Sequence, residues 1–203
     1  MATDGSGDSL LPNGRLLLDY GFCIADHPND EVALPLPPPA PHEMSKPRLA
    51  ALSRLRLLDM PPPRLTGGGT ALPSELAVFA RLLTVQPAEK AMAEAAAASR
   101  DFEAYARHAE QLESVRRYVR SLVLARLAEY PTSAAQDDVL LAELPSTGKE
   151  HERRRCAILL RRAEKRLLER WLLLLDDERG RVAEADGQAP GQPQRSPMKG
   201  ELR

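Results

Sequence analysis

Few residues in this chain have the type and spacing that chemistry requires. The histidines, His27, His42, His108 and His151, are scattered. They share no ligand spacing with the two cysteines, Cys23 and Cys156, so no metal site is expected. His151-Glu152 lacks the second histidine, four residues on, that a zinc-protease helix needs. No serine or cysteine sits in a nucleophile-elbow context. Gly67-Gly68-Gly69 is glycine-rich, but no Lys-Ser/Thr follows it at a helix start, so it reads as a flexible loop and not as a phosphate cradle. Arg153-Arg154-Arg155, Arg161-Arg162 and Lys165-Arg166 form a basic run interleaved with Glu150, Glu152, Glu164 and Glu169. Pairs at i,i+3 and i,i+4 make that run a salt-laced solvated helix face. One aromatic side chain remains, Tyr20, in Leu16-Leu17-Leu18-Asp19-Tyr20-Gly21-Phe22. Taken alone, this string is a helix end capped by Gly21 with Tyr20 filling a gap in a core.

Its continuation gives a second reading. The turn-rich Asp26-His27-Pro28-Asn29-Asp30 follows, then Val32, Leu34 and Leu36 alternate as a short strand does. The whole of Pro12–Leu36 resembles the closing segment of SET-domain protein lysine methyltransferases of the Rubisco large-subunit methyltransferase type. Those carry a leucine-rich lead, a Tyr-Gly-Phe signature, an Asn/His-Pro-Asn/His-Asp turn and a strand ending in Leu-Pro. Two further stretches resemble the helical substrate-binding domain that follows SET in the same family. One is Tyr130-Pro131-Thr132-Ser133 with Gln136-Asp137-Asp138 and Val139-Leu140-Leu141; the other is Glu164-Lys165-Arg166-Leu167-Leu168.

The resemblance implies a parent activity of protein-lysine N-methylation from S-adenosylmethionine, with a protein bearing the target lysine as partner. It implies that Tyr20 orients the amine in line with the sulfonium methyl, and that Phe22 lines the lysine channel. Methyl transfer is a displacement in which alignment supplies most of the rate. The cofactor-holding motifs of the family, a Gly-rich strand and an Asn-His pair, do not occur in this sequence. The chain by itself is therefore expected to bind no cofactor and to be inactive. Two readings of the whole follow: the substrate-recognition portion of a methyltransferase, or a stand-alone, non-catalytic helical interaction module.

Composition sets the frame for these motifs. Net charge is −1, so no global field draws the chain to nucleic acid or to an anionic membrane, and aromatics at 4% offer no base-stacking platform. The strongest apolar run, Leu167–Leu175, is broken by Glu169 and Arg170 and falls short of the roughly 20 residues a bilayer span needs. The first fifteen residues show neither a signal core nor a transit pattern. Two cysteines suit a reducing compartment, and each reads as a small apolar packing residue; plastid, cytoplasm and nucleus all fit.

The fold expected is mainly α: a helical domain over 47–182, preceded by a short β fragment over 12–36. Residues 1–11 and 183–203 read as disordered, and 37–46 as a Pro-rich spacer. Helices are expected over 48–59, from Pro73, over 88–99 as an alanine-rich surface helix, and over 101–130. That last stretch carries a stripe of Leu112, Val115, Val119, Leu122, Val123 and Leu127, with Arg116, Arg117 and Arg120 opposite. Ser133 or Thr132 should cap the next helix with Gln136 in a capping box, and the last should run from 147 to about 184. Cut off from the rest of a sheet, residues 13–36 are expected to pack loosely on the helices.

Overall fold

The structure, a computed structural model, describes residues 11–36, 45–145 and 148–186, with side chains described through Asp176. Of the disorder expected at 1–11 and 183–203, all but Leu11 and residues 183–186, which continue a helix, lies outside the described residues, as does most of the Pro-rich spacer. The fold is mainly helical. Among the described residues there are eight α-helices, one turn of 3-10 helix at Ala88–Lys90 and a two-stranded sheet. The helices are α1 (Asn13–Tyr20), α2 (Lys46–Arg54), α3 (Ser74–Thr84), α4 (Ala91–Ala98), α5 (Phe102–Glu110), α6 (Glu113–Ala128), α7 (Ala134–Glu143) and α8 (Lys149–Asp186). The strands are β1 (Glu31–Ala33) and β2 (Arg64–Thr66).

Helix α3 is the hub. Leu76, Ala77, Val78, Phe79, Ala80 and Leu82 are all buried, which is more than one face, because α2, α4, α5 and α6 pack around it. Pro73 is its N-cap, just outside the first turn. Helix α4 corrects the expectation of a surface helix. Ala91, Ala95 and Ala98 are fully buried, and their small side chains let α4 lie close against α2, α3 and α5. Low apolar content per residue had concealed a packing role that depends on small size.

The long helix expected over 101–130 breaks at Gln111-Leu112 into α5 and α6. Asp101 caps α5 by accepting from the Ala104 N–H at 3.0 Å. On α6, Val115, Val119 and Val123 are fully buried, as the spacing predicts. Arg116, expected on the solvated side, is turned inward and is only 4% exposed. Helix α2 stops earlier than expected; Leu55 closes it, and Arg56 follows with φ 57°.

Residues 13–36 do not pack loosely. β1 pairs antiparallel with β2, with Val32 opposite Leu65. The ladder extends through Leu34 N–H to Pro63 O at 2.9 Å and Gly67 N–H to Asp30 O at 2.8 Å. Val32 and Leu34 are buried in the same core as Leu65, Leu76 and Trp171. The glycine loop belongs to this junction: a side chain at Gly67 would place its Cβ 2.9 Å from the Pro28 carbonyl oxygen, so the approach of the two backbones requires glycine.

Helix α8 closes the assembly. It packs on α1, β1, β2, α6 and α7, and it buries Ile158, Leu167, Leu168, Trp171 and Leu175. The Trp171 indole N–H donates to Thr66 O at 3.3 Å.

Candidate functional site

The Tyr20 segment is built from the turn upward. Asn13, fully buried at the start of α1, acts as a clamp. Its backbone N–H and its amide nitrogen donate to the two Asp30 carboxylate oxygens, each at 2.8 Å. The same amide donates to Ile24 O at 2.8 Å, and its oxygen accepts from Ile24 N–H at 2.7 Å. This ties the head of α1 to the chain that leaves its tail. Gly21 ends the helix in the left-handed region, φ 77°, with its N–H on Leu17 O, as the helix-end reading predicts. In the turn, His27 is buried and its Nδ1 accepts from the Asn29 N–H at 3.0 Å.

Tyr20 does not fill a gap in the core. It is 57% exposed, and its ring faces that of Phe22, 42% exposed, with centroids 6.3 Å apart. Leu18 and Ile24 are exposed as well. So the structure brings Tyr20 and Phe22 together and presents them on the outside of a segment whose other residues are fixed. Across the fold, Asp26 accepts from Arg162 at 2.9 Å and Arg166 at 3.1 Å, both on α8. Burial, and then the neighbouring Cys156 of α8, push the Cys23 thiol up to about 12.

The second constellation lies where α7 meets α8. Ser133 caps α7 and forms the expected capping box with Gln136, at 3.1 and 2.7 Å. The Tyr130-Pro131-Thr132-Ser133 turn and Glu164-Lys165-Arg166 come together here. Lys165, 1% exposed, donates to Thr132 O, Thr132 Oγ1 and Ser133 O at 2.8, 2.9 and 3.1 Å, and pairs with Asp137 at 2.5 Å. Arg161 reaches the other Asp137 oxygen at 2.7 Å. Burial acts to raise the Asp137 carboxyl, but hydrogen bonds from Arg161, Lys165 and Thr132 overcome it and hold the group below the usual carboxylate range. Asp138 pairs with Arg162 and Arg166 at 3.0 and 2.9 Å. The Tyr130 hydroxyl donates to Glu164, and its ring lies 5.1 Å from the Arg126 guanidinium and 5.6 Å from Lys165 Nζ.

Arg161, Arg162, Lys165 and Arg166 therefore find their acidic partners on α7 and in the Asp26 turn, and not at i,i+3 and i,i+4 along their own face as expected, while Arg155 donates to Leu144 O. The clamp made by Asn13 and the burial of Lys165 were both missed in the sequence. Only Lys165 had a usable signal there, a lysine among leucines on the inward stripe. Among the described residues, no group of three or more His, Cys, Asp or Glu is placed to hold a metal ion, and no helix is long and apolar enough to cross a membrane.

The two motifs that meet at the α7–α8 junction lie within the span matched by one family model, Rubisco LSMT substrate-binding, which covers residues 43–168, more than half of the chain. The chain belongs to that family. The helices α2 to α7 and the first half of α8 are thus a Rubisco LSMT substrate-binding domain, a class whose name implies a protein substrate as partner. No curated protein matches the chain. The matched span omits β1 and stops at Leu168. The core of the substrate-binding domain nonetheless includes Val32 and Leu34 before it and Trp171 and Leu175 after it.

Proposed function

We propose that this chain is the protein-substrate-recognition portion of a SET-type protein-lysine N-methyltransferase, with residues 12–36 as the closing segment of the SET domain and 47–182 as the substrate-binding domain. The family match supports the second part. The observation that carries the first is the two-sidedness of the segment. Val32 and Leu34 anchor it in the helical core, while Leu18, Tyr20 and Phe22 face outward. A pair of exposed aromatic rings on a segment anchored in the core suits a surface that further catalytic structure covers. In that complete domain, Tyr20 would orient the target amine and Phe22 would line its approach, by the resemblance of the Tyr-Gly-Phe motif.

The residues present do not fit an S-adenosylmethionine site. The sequence holds no Asn-His pair, and Tyr20 is more than half exposed. Methyl transfer belongs to the complete domain, and this chain contributes substrate recognition and the alignment of Tyr20.

Mass spectrometry of the endogenous protein tests the reading. Peptides that read upstream of Met1 into an Asn-His-bearing sequence are expected. In that longer enzyme, Tyr20→Phe should depress methyl transfer while leaving capture of the protein substrate intact. A native amino terminus at Met1 would overturn the reading in favour of a non-catalytic helical interaction module.

A further inference from the structure

Helix α1 carries Tyr20 at its end, yet it buries only Asn13 and Leu16. One buried leucine gives a short helix a single apolar anchor, and a single anchor leaves it free to tilt. The second anchor is polar. Pro12, at the N-cap, has no side-chain oxygen to offer, and the first turn of α1 holds no acidic residue. Asp30 supplies both from 17 residues on. Its carboxylate accepts the Asn13 N–H and sets a negative charge at the positive end of the helix. Its other oxygen accepts from the Asn13 amide, so both bonds are charge-assisted. Asp30 is itself fixed to the core, because its carbonyl oxygen accepts from Gly67 at 2.8 Å and β1 begins at the next residue.

The same asparagine closes the far side. Its amide nitrogen donates to Ile24 O and its oxygen accepts from Ile24 N–H. Residues 13–24 thus form a loop closed on one side chain, with Tyr20 and Phe22 inside it on either side of Gly21. Asparagine meets this need because its amide donates and accepts at once; aspartate in its place could donate neither to Asp30 nor to Ile24 O. The other polar tie of the segment, Asp26 to Arg162 and Arg166, is made by a side chain 71% exposed and holds little.

We propose that Asn13, with Asp30 as its counterpart, is the positioning residue for Tyr20 and Phe22, and that it acts on methyl transfer through Tyr20 without touching substrate or cofactor. The chemistry here rests on the methyltransferase reading, the geometry on the clamp alone. Tyr20 closes the eight-residue helix that Asn13 opens, about 10 Å away. A tilt of about 10° at a loosened clamp would carry it about 2 Å from its place. In a reaction limited by alignment, a misplacement of about 1 Å costs about a hundredfold in rate.

The clamp is tested first in the chain as it stands. In Asn13→Ala, hydrogen exchange should quicken about tenfold or more at the Ile24 amide, whose acceptor is gone, and stay unchanged at Leu34, whose N–H is on Pro63 O. In the longer enzyme, rates are compared where Trp171 emission shows each variant folded. Asn13→Ala should lower kcat about a hundredfold and leave KM for the protein substrate within about twofold. Exchanging the partners, Asn13→Asp with Asp30→Asn, keeps a donor facing an acceptor and still offers Ile24 N–H an oxygen, so kcat should return to within about tenfold of wild type. On a Tyr20→Phe background, Asn13→Ala should cost less than about tenfold more, because its route through Tyr20 is already lost. Unchanged exchange at Ile24, or a folded Asn13→Ala with full kcat beside a depressed Tyr20→Phe, would overturn the positioning role. Full kcat in Tyr20→Phe would instead overturn the methyltransferase reading, and the positioning role with it.

Discussion

Asp137→Asn isolates the ion pair between α7 and α8. Lys165 is 1% exposed and Asp137 fully buried. The ammonium has four oxygens within reach, and only the one on Asp137, at 2.5 Å, carries charge. The amide would leave a buried ammonium with three neutral acceptors. Arg161, about a third exposed, can turn to water and adds little. Breaking one side of a buried pair costs about 3–5 kcal/mol, and the surviving acceptors place this variant at the lower end, about 3 kcal/mol. Urea unfolding read by Trp171, the sole tryptophan and a core residue, should lose about 1.5 M in midpoint at a slope of about 2 kcal/mol/M. In a Lys165→Met background the same substitution should cost about 1 kcal/mol or less, because the orphaned charge is gone.

Acid adds a second readout. The folded-state carboxyl is held below its unfolded value of about 3.9. Its contribution is therefore present above that pH and lost as pH falls through the lower, folded value. The wild type should lose stability faster than Asp137→Asn below about pH 4. A midpoint loss under about 0.5 M, or an equal loss with and without Lys165, would refute the assignment of the cost to the buried ammonium.

Three smaller perturbations probe the fold. Leu34→Ala should cost about 3 kcal/mol by urea unfolding, as any core leucine does, and a neutral result would mean the amino-terminal segment is not part of the core. Gly67→Ala forces a methyl against the Pro28 carbonyl oxygen and should cost about 2 kcal/mol in the same assay, with no change at Gly68, where a Cβ meets nothing within 4 Å. Ala95→Leu should lower the thermal midpoint through about 2 kcal/mol of overpacking between α4 and its neighbours, whereas on a surface helix it would be close to neutral.

What could be read from the sequence was what is local. The capping box at Ser133 and Gln136, the inward stripe of α6 and the extent of α8 all depend on residues within a few turns of one another. The helical fold class followed from them. The β1–β2 pairing depends on two three-residue strands far apart in the chain; alternation marks the first, but Arg64–Thr66 is too short to show any and nothing local says that the two pair. Lys165 was assigned to solvent because its partners lie on another element, and charge patterning along one helix cannot see across a junction. The alanine helix failed for a different reason, since a fully buried alanine and an exposed one contribute the same letters to a pattern. At the candidate site, Tyr20 and Phe22 were found by motif, while Asn13, which holds their segment in place, carries no periodic signal at all.

The position of α8 after every other element with which it shares the core bears on how the protein is made. During synthesis, Val32, Leu34 and Leu65 are in hand long before Leu168, Trp171 and Leu175, which share their core. At about 5–20 residues per second, the ribosome holds a nearly complete helical assembly with one side of its core uncovered. Folding of the earlier helices alone cannot bury that side, so the nascent chain offers chaperones an apolar target until the second half of α8 has emerged.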